Sequence, residues 1–323
     1  MASFLITGVA GFIGSRVAEF LLECDIQVVG VDNLNDAYEP RLKEWRLERL
    51  RGRSGFTFCR LDISDRRAVE LLPSRSYEAV INLAARAGVR QSVSDPWAYV
   101  DTNITGTLNL LDLCRVRDIK KYILASTSSL YGSHNPLPYR EDADTSRPLS
   151  PYAASKKGAE ALCFSYHQLH GIDVTVFRYF TVYGPAGRPD MSVFRFVQWI
   201  SEGREVVIYG DGTQSRDFTF VDDIARGTIA GLKPLGYRVI NLGSDRPAEL
   251  MHIVDLLETE LGVKARLAFR DAHRADVPAT WADITCARSL LGWEPKTLLE
   301  QGLSNTVRWY RDNREWARTI QTV

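Results

Sequence analysis

The chain has 323 residues, of which 45% are hydrophobic, and its 40 basic side chains balance its 40 acidic ones. This composition predicts a globular protein with a substantial core and argues against a nucleic-acid-binding surface. The five cysteines are scattered without the spacing of metal ligands, so we expect a reduced, cytoplasmic protein without a metal site.

The first half of the chain alternates short apolar runs with helical patterns. Because the runs are hydrophobic on both faces, they predict a parallel sheet covered by helices, in a doubly wound α/β fold. We predict strands at residues 3–8, 27–32, 56–62, 79–85, 122–126, 174–180 and 238–243, and helices at 12–24, 41–50, 65–72, 98–117 and 151–170. The opening "MASFLITG" enters a strand at once, so neither a signal peptide nor a membrane-spanning helix is expected.

A glycine-rich turn joins the first strand to the first helix. In "TGVAGFIG", Gly8, Gly11 and Gly14 allow a tight turn and the close approach of a pyrophosphate to the helix start. This context favours a dinucleotide site over a purely structural turn. Asp32 ends the second strand, where a carboxylate accepts both ribose hydroxyls and repels a 2′-phosphate; this predicts NAD rather than NADP, with helix capping as the alternative. Asp62 ends the third strand and is predicted to reach the adenine.

This pattern divides the chain into two regions. We expect residues 1–180, joined by the strand at 238–243, to form a Rossmann-type NAD-binding domain. The regularity loosens afterwards, and residues 181–323 are expected to form mainly a smaller, substrate-binding lobe. Residues 41–53 are rich in Arg, but interleaved Glu residues predict a solvated helix rather than a binding surface.

Tyr152 and Lys156 are predicted to lie side by side on one helix, because their i, i+4 spacing puts them on the same face. Ser150 and Pro151 are suitable residues to begin that helix. A phenol with a pKa of about 10 is almost wholly protonated at pH 7. A neighbouring ammonium and a positive nicotinamide ring favour the phenolate, which is a general base for an alcohol. The alternative is an ordinary amphipathic surface helix.

Three motifs, "TGVAGFIG", "STSSLYG" and "YAASK", together resemble the extended short-chain dehydrogenase/reductase family, in its sugar-nucleotide epimerase/dehydratase branch. The resemblance extends from "FLITG" to "LLGWEPKTLLEQGL" and implies tightly held NAD and a catalytic triad, here Thr127, Tyr152 and Lys156. The resemblance adds Asn103 and Tyr179 to the predicted cofactor-binding residues, which are Gly8, Gly11, Phe12, Ile13, Gly14, Asp32, Asn33, Asp62, Ile63, Leu83, Ala84, Ala85, Asn103, Tyr152, Lys156 and Tyr179.

The same resemblance implies a UDP-sugar substrate. Its predicted contacts are Arg90, Ser128, Ser129, Thr181, Arg188, Tyr209, Arg216 and Asp276. Three residues before Asp276 the chain has His273, where galactose-type epimerases typically have Arg, which leaves that contact with the nucleotide open. The resemblance also implies a homodimer formed through the helices at 98–117 and 151–170, whereas the balanced charge and the lack of a long apolar segment predict neither nucleic acid nor a membrane as partner.

The segment "STSSLYG" bears on the fate of the sugar once C4 is oxidised. Sugar-nucleotide 4,6-dehydratases resemble "TDEVYG" and glucuronate decarboxylases "TSEVYG", whereas this chain has Ser128 and Ser129 in place of the acids. Without a carboxylate to move protons at C5 or C6, the simplest outcome is rotation of the 4-keto sugar and return of hydride, which is 4-epimerisation. A decarboxylase, a dehydrogenase that releases NADH and a non-catalytic NAD-binding protein are the alternatives.

The stretch "FTVYGPAGRPDM", with "DNLNDAYEPRLKEWRLERL" and "AARAGVRQS", resembles the UDP-glucuronate 4-epimerases. Thr181 stands where relatives that act on neutral hexoses usually have Asn, and a ring of hydroxyls could donate to a sugar carboxylate. Arg90 or Arg188 could add charge there, or bind the diphosphate instead. The sequence therefore predicts conversion of UDP-glucuronate to UDP-galacturonate, with UDP-glucose or its N-acetyl relative as alternative substrates.

Overall fold

A seven-stranded parallel sheet forms the centre of the protein. The computed structural model describes residues 2–271 and 277–322. The sheet has the order β10-β6-β5-β4-β1-β2-β3 and consists of β1 (Ser3–Thr7), β2 (Gln27–Asp32), β3 (Phe56–Arg60), β4 (Ala79–Asn82), β5 (Lys121–Thr127), β6 (Asp173–Tyr179) and β10 (Tyr237–Leu242). The doubly wound α/β fold predicted from the sequence is confirmed, and each predicted strand is found within a few residues of its expected bounds.

Helices cover both faces of this sheet, and others pack outside it. They are α1 (Phe12–Glu23), α2 (Pro40–Glu48), α3 (Arg66–Glu70), α4 (Val89–Ser94), α5 (Pro96–Tyr99), α6 (Gly106–Val116), α7 (Pro151–His170), α8 (Ser192–Ser201), α9 (Val221–Ala230), α10 (Leu250–Leu261), α11 (Thr285–Leu291), α12 (Leu299–Asp312) and α13 (Arg314–Ala317). A 3₁₀ turn spans Ser128–Tyr131. No helix in the described part of the chain is long and apolar enough to cross a membrane.

Neighbouring residues of one strand belong to different hydrophobic cores. In β1, Phe4 and Ile6 pack into one core while Leu5 packs into the other. In β5, Ile123 and Leu124 divide in the same way. This two-sided burial is why the strands are continuous apolar runs rather than alternating ones.

The helix predicted at 98–117 is found at residues 96–116, but its middle is π-helical rather than α-helical. The segment is divided into α5, a π-helical stretch at Val100–Thr105, and α6. Asn103 lies within the π-helical stretch and is 1% exposed. Its amide donates to the carbonyl oxygen of Arg86 and accepts from the Arg86 N–H, both at 3.0 Å. A local widening of the helix thus accompanies a fixed contact with the chain that follows β4.

The remaining strands pair outside the central sheet. They are β7 (Thr181–Tyr183), β8 (Glu205–Tyr209), β9 (Ser215–Phe220), β11 (Pro247–Glu249) and β12 (Arg266–Arg270), in sheets of order β11-β9-β7 and β12-β8. With α8, α10 and α12 they enclose a third hydrophobic core, which also receives Leu42 from α2. Strand β10 instead returns to the central sheet, where it pairs in parallel with β6.

Candidate active site

A cleft of about 340 Å³ opens above the carboxyl ends of β1, β2, β4, β5 and β6. Parallel α/β sheets typically bind ligands at this edge. The predicted site residues that line the cleft are Gly8, Gly11, Phe12, Ile13, Gly14, Asp32, Asn33, Asp62, Ile63, Leu83, Ala84, Ala85, Thr127, Ser128, Ser129, Tyr152, Lys156, Tyr179, Thr181 and Arg188. Residues from separate parts of the sequence thus meet in one cavity.

The glycine-rich turn leaves no room for side chains. A Cβ at Gly8, where φ is +70°, would lie 2.7 Å from the backbone nitrogen of Ala84. A Cβ at Gly14 would lie 2.1 Å from the carbonyl oxygen of Gly8. The turn leads directly into α1, whose first turn carries no acidic residue. The positive end of the helix is therefore bare backbone facing the cleft, which fits the diphosphate of a dinucleotide.

Two carboxylates lie at the ends of neighbouring strands. Asp32 is 8% exposed and accepts from the N–H groups of Ala10 at 3.1 Å and Leu34 at 2.9 Å. Asp62 accepts from the Ser64 N–H and hydroxyl and from the Asn33 amide. Burial alone raises the pKa of Asp62, but the hydrogen bonds from Ser64 and Asn33 outweigh it and hold this pKa below its usual value. The arrangement suits the adenosine ribose and base.

The end of β5 meets the beginning of α7. Ser150 caps α7, its hydroxyl accepting from the Ala153 N–H, and Pro151 occupies the first turn. Burial raises the pKa of Tyr152, while the neighbouring Thr127 hydroxyl and the charge of Arg188 act in the opposite direction. Thr127 thus lies beside the phenol of Tyr152.

Lys156 is 3% exposed, and burial lowers the pKa of its ammonium group to about 8. Its Nζ donates to the carbonyl oxygen of Ala125 at 2.8 Å. This contact fixes the ammonium at the floor of the cleft, under the end of β5. Lys156 lies one turn of α7 beyond Tyr152, and it is held by β5, the strand that carries Thr127.

The hydroxyl groups of "STSS", residues 126–129, have hydrogen-bond partners in different parts of the protein. Ser126 donates at 2.6 Å to Glu160, which forms a buried, two-pronged ion pair with Arg178. Thr127 accepts from the Ser129 N–H at 3.1 Å and so begins the 3₁₀ turn. Among the described residues that line the cleft, only two carry carboxylates, and both lie at the strand ends already described.

Arg188 enters the cleft from the loop after β7. Its guanidinium forms an ion pair with Asp190 and donates to the Ala87 carbonyl oxygen at 3.2 Å. Burial alone raises the pKa of Asp190, but the charge of Arg188 more than offsets it, so this pKa is below its ordinary value. Arg188 and Thr181 thus lie in the same cavity as Tyr152.

Several predicted contacts lie away from the lining of the cleft. Asn103 directs its amide to Arg86 and to the Ser155 hydroxyl, so it supports α7 rather than facing the cavity. The guanidinium of Arg90 lies 4.0 Å from the ring centre of Tyr209, and Arg216 bonds backbone carbonyls beside Pro278. The predicted contacts at Arg90, Tyr209 and Arg216 stay predictions, and Asp276 and His273 lie outside the described residues.

One part of the cleft is formed by residues that the sequence motifs did not indicate. Tyr38, Asn35 and Lys43 line it. Lys43 donates from Nζ to the backbone and side-chain oxygens of Asn35, both at 2.7 Å, and burial lowers its pKa to about 8. The solvated helix predicted for residues 41–53 is wrong at α2, where Lys43 and Arg46 are 5% and 2% exposed. The helix packs against both the cleft and the third core, and interleaved charges alone gave no sign of this.

No three His, Cys, Asp or Glu side chains within residues 2–271 and 277–322 are grouped as a metal site requires.

Comparison with known proteins identifies the family. The model of the NAD dependent epimerase/dehydratase family matches residues 4–243. A UDP-glucuronate 4-epimerase of Thermodesulfobacterium geofontis is 55% identical over 323 residues, covering 99% of this chain and 100% of that protein.

Solved structures agree with this assignment. UDP-glucuronic acid 4-epimerase from Bacillus cereus, solved with UDP-glucuronic acid and NAD, has a TM-score of 0.91 and 38% identity, covering 96% of this chain and 99% of that one. UDP-glucose 4-epimerase from Thermotoga maritima, solved with UDP-glucose, has a TM-score of 0.89 and 33% identity, covering 97% and 99%. The family resemblance found in the sequence is confirmed, and the chain belongs to the NAD dependent epimerase/dehydratase family.

Proposed function

We propose that the protein is an NAD-dependent 4-epimerase that interconverts UDP-glucuronate and UDP-galacturonate. The observation that carries the proposal is the composition of the cleft. The hydroxyls of Thr127, Ser128, Ser129 and Thr181 line it, and its described lining has no carboxylate beside the phenol of Tyr152. The 55% identity with a UDP-glucuronate 4-epimerase over the whole chain supports the same substrate.

Proton transfer at the sugar 4-hydroxyl is assigned to Tyr152. As the phenolate it accepts the hydroxyl proton, and as the phenol it returns a proton to the 4-keto oxygen. The neighbouring Thr127 hydroxyl lowers the pKa of Tyr152 and so favours the ionised form. NAD, held by the glycine-rich turn and Asp32, would supply the hydride acceptor for C4 and the hydride donor for the opposite face of the rotated 4-keto sugar. The cofactor is regenerated in each cycle, so no second redox substrate is needed.

The sugar carboxylate is assigned to the hydroxyls and to Arg188. Glucuronate oxidised at C4 is a β-keto acid, which can lose CO₂ when its carboxylate aligns with the carbonyl. Hydroxyl donors and a guanidinium hold such a group in one orientation. A carboxylate at Ser129, as in the decarboxylase pattern, would instead place a proton-transfer group beside C5 of the sugar. The cleft therefore favours return of the hydride with the C5–C6 bond intact.

Residues 1–180 together with β10 are proposed to bind NAD, and residues 181–323 to bind mainly the UDP-sugar. The pairing of β10 with β6 and the separate third core support this division.

We also infer a cytoplasmic location, because all five cysteines are free thiols, as is typical of a reducing compartment.

A homodimer is proposed through the helical segment at 96–116 and α7. Large apolar side chains are exposed on both: Trp97 is 75% exposed, Val100 40% and Leu108 38% on the first, and Phe164 49% and Leu169 72% on the second. α6 and α7 pack side by side. Two copies related by a twofold axis would bury these side chains in a four-helix interface.

The purified protein is to be incubated with a panel of UDP-sugars, without added cofactor, and the C4 epimers measured by NMR. We expect UDP-galacturonate from UDP-glucuronate, and a higher kcat/KM for UDP-glucuronate than for UDP-glucose. Equal or better use of UDP-glucose would overturn the assignment of UDP-glucuronate as substrate but not the assignment of epimerase activity. A UDP-pentose as the main product would show a decarboxylase instead.

A further inference from the structure

Arg46 is a buried cation in a helix whose sequence suggested solvent exposure. It lies in α2 and is 2% exposed. Every hydrogen bond of its guanidinium in the described part of the chain goes to an uncharged oxygen. A buried charge without a counter-ion is unfavourable, so its hydrogen bonds have to offset its lost hydration.

The acceptors of Arg46 belong to three different segments. Nε and Nη2 donate to the carbonyl oxygen of Ala186 at 3.1 and 2.7 Å, and Nη2 also to that of Gly187 at 3.2 Å. Nη1 donates to the carbonyl oxygen of Ala10 at 3.2 Å and to the hydroxyl of Tyr38 at 2.7 Å. One guanidinium thus joins the glycine-rich turn, the chain after β2 and the loop after β7.

Each of these segments forms a wall of the cleft. Ala10 lies within the glycine-rich turn, and Tyr38 lines the cleft directly. Ala186 has φ of +52°, a left-handed conformation that needs support in a residue with a Cβ. It lies two residues before Arg188, so the carbonyl groups bound by Arg46 set the path of the loop that carries Arg188 into the cleft.

We infer that Arg46 is a positioning residue: it fixes the loop of residues 184–191, and with it Arg188, against the glycine-rich turn. The inference rests on the proposed function. If the loop of residues 184–191 is loosened, Arg188 should hold the sugar carboxylate less firmly while C4 is oxidised to the ketone. The planar fork of Arg serves several carbonyls at once, which the single ammonium group of Lys does not reproduce.

A loosened carboxylate has a defined chemical outcome. The C5–C6 bond breaks, its electron pair passes into the C4 carbonyl, and CO₂ leaves. A solvent proton then adds at C5, and return of the hydride to C4 gives a UDP-pentose with the cofactor regenerated. The ratio of UDP-pentose to UDP-galacturonate therefore reports how firmly the carboxylate is held, which a loss of stability alone would not change.

The test compares Arg46→Lys and Arg46→Met with Arg49→Met. Arg49 lies at the end of the same helix, pairs with Glu19 and has a 47% exposed side chain, so it is a matched control. We expect both Arg46 variants to keep NAD and a folded structure. Their kcat/KM for UDP-glucuronate should fall on the order of 10- to 100-fold, and the fraction of UDP-pentose should rise. The control should match the wild type.

Folded Arg46 variants with wild-type kcat/KM and product ratio would overturn the inference. So would failure of both variants to fold, or a fall in melting temperature alone, because the residue would then be structural. The wild-type protein decides the proposed function in the same assay. If it did not convert UDP-glucuronate, the substrate assignment and this inference would fall together, whereas an active wild type with unchanged variants would remove the inference alone.

Discussion

The ammonium group of Lys156 lies 2.8 Å from the backbone carbonyl oxygen of Ala125. This contact ties α7 to the end of β5, the two elements that carry Tyr152 and Thr127. The lysine therefore has a fixed place at the floor of the cleft. The role proposed for Lys156 is to favour the Tyr152 phenolate by its charge, which depends on its own protonation and so has consequences for the pH dependence of the reaction.

Tyr152→Phe removes the proposed base and should reduce kcat by about 100- to 10,000-fold. Because the ring stays, the structure around Thr127 should be kept, and so should the affinity for UDP-glucuronate. Steady-state kinetics with product analysis by NMR measure both quantities. Wild-type turnover in this variant would remove the assignment of Tyr152.

The pH profile of kcat/KM should rise as pH increases towards about 8 and then level off. The active form needs Tyr152 ionised and Lys156 protonated, and it carries one proton fewer than the form with both groups protonated. Burial lowers the pKa of Lys156 to about 8 and raises that of Tyr152, so the first proton is lost near pH 8. The apparent pKa of this rising limb of the pH profile belongs to the pair of groups rather than to either residue. Bound NAD, being positively charged at its nicotinamide ring, lowers that apparent pKa.

Lys156→Met should shift that limb to higher pH, because the remaining phenol has a raised pKa and has lost a neighbouring cation. Lys157→Met is the matched control, since Lys157 bonds Thr145 outside the cleft lining. A rate that falls as pH rises through 7 to 8, or a limb that Lys156→Met leaves in place, would contradict the proposed role.

Asp32 should make the protein selective for NAD. Its carboxylate is held by two backbone N–H groups, so it cannot swing away from a 2′-phosphate. Opposing like charges cost several kcal/mol, so cofactor-stripped protein should bind NAD at least about 100-fold more tightly than NADP. Asp32→Ser should narrow that ratio. Equal binding of the two cofactors by the wild type would show that Asp32 does not face the ribose.

Ser129→Glu should raise the fraction of UDP-pentose formed from UDP-glucuronate, because it restores the carboxylate of the decarboxylase pattern beside the sugar. Ser129→Gln has nearly the same size without the charge and should keep UDP-galacturonate as the main product. NMR of the products measures the ratio of UDP-pentose to UDP-galacturonate for both variants. Equal fractions of UDP-pentose from the Glu and Gln variants would show that the missing carboxylate does not decide the outcome.

Glu160→Gln should destabilise the fold. Glu160 and Arg178 are each 4% exposed, and removing one charge leaves Arg178 buried without its partner. Such changes typically cost about 3 to 5 kcal/mol in the free energy of unfolding. Asp142→Asn breaks the exposed pair with Arg140 and should leave stability unchanged. Urea unfolding measures both, and similar small effects would show that the buried pair is dispensable.

The sequence by itself determined the fold class, the glycine-rich turn, Asp32 and the pair of Tyr152 and Lys156. These features depend on short spacings within a strand, a turn or one helical face, and local geometry gives such spacings a definite meaning. The absence of acids at Ser128 and Ser129 was likewise readable, because the strand end that holds them is defined locally.

Only the tertiary structure decided what Asn103, Lys43 and Arg46 contact. Lys43 and Arg46 stand in a charged, interleaved helix that looks solvated, and they become buried because α2 is covered by the cleft wall and the third core. Asn103 lies in the π-helical stretch and donates from its amide to the carbonyl oxygen of Arg86, 17 residues earlier. Partners more than 100 residues apart, such as Arg46 and Ala186, leave no local pattern, since their contact arises only when separate elements pack.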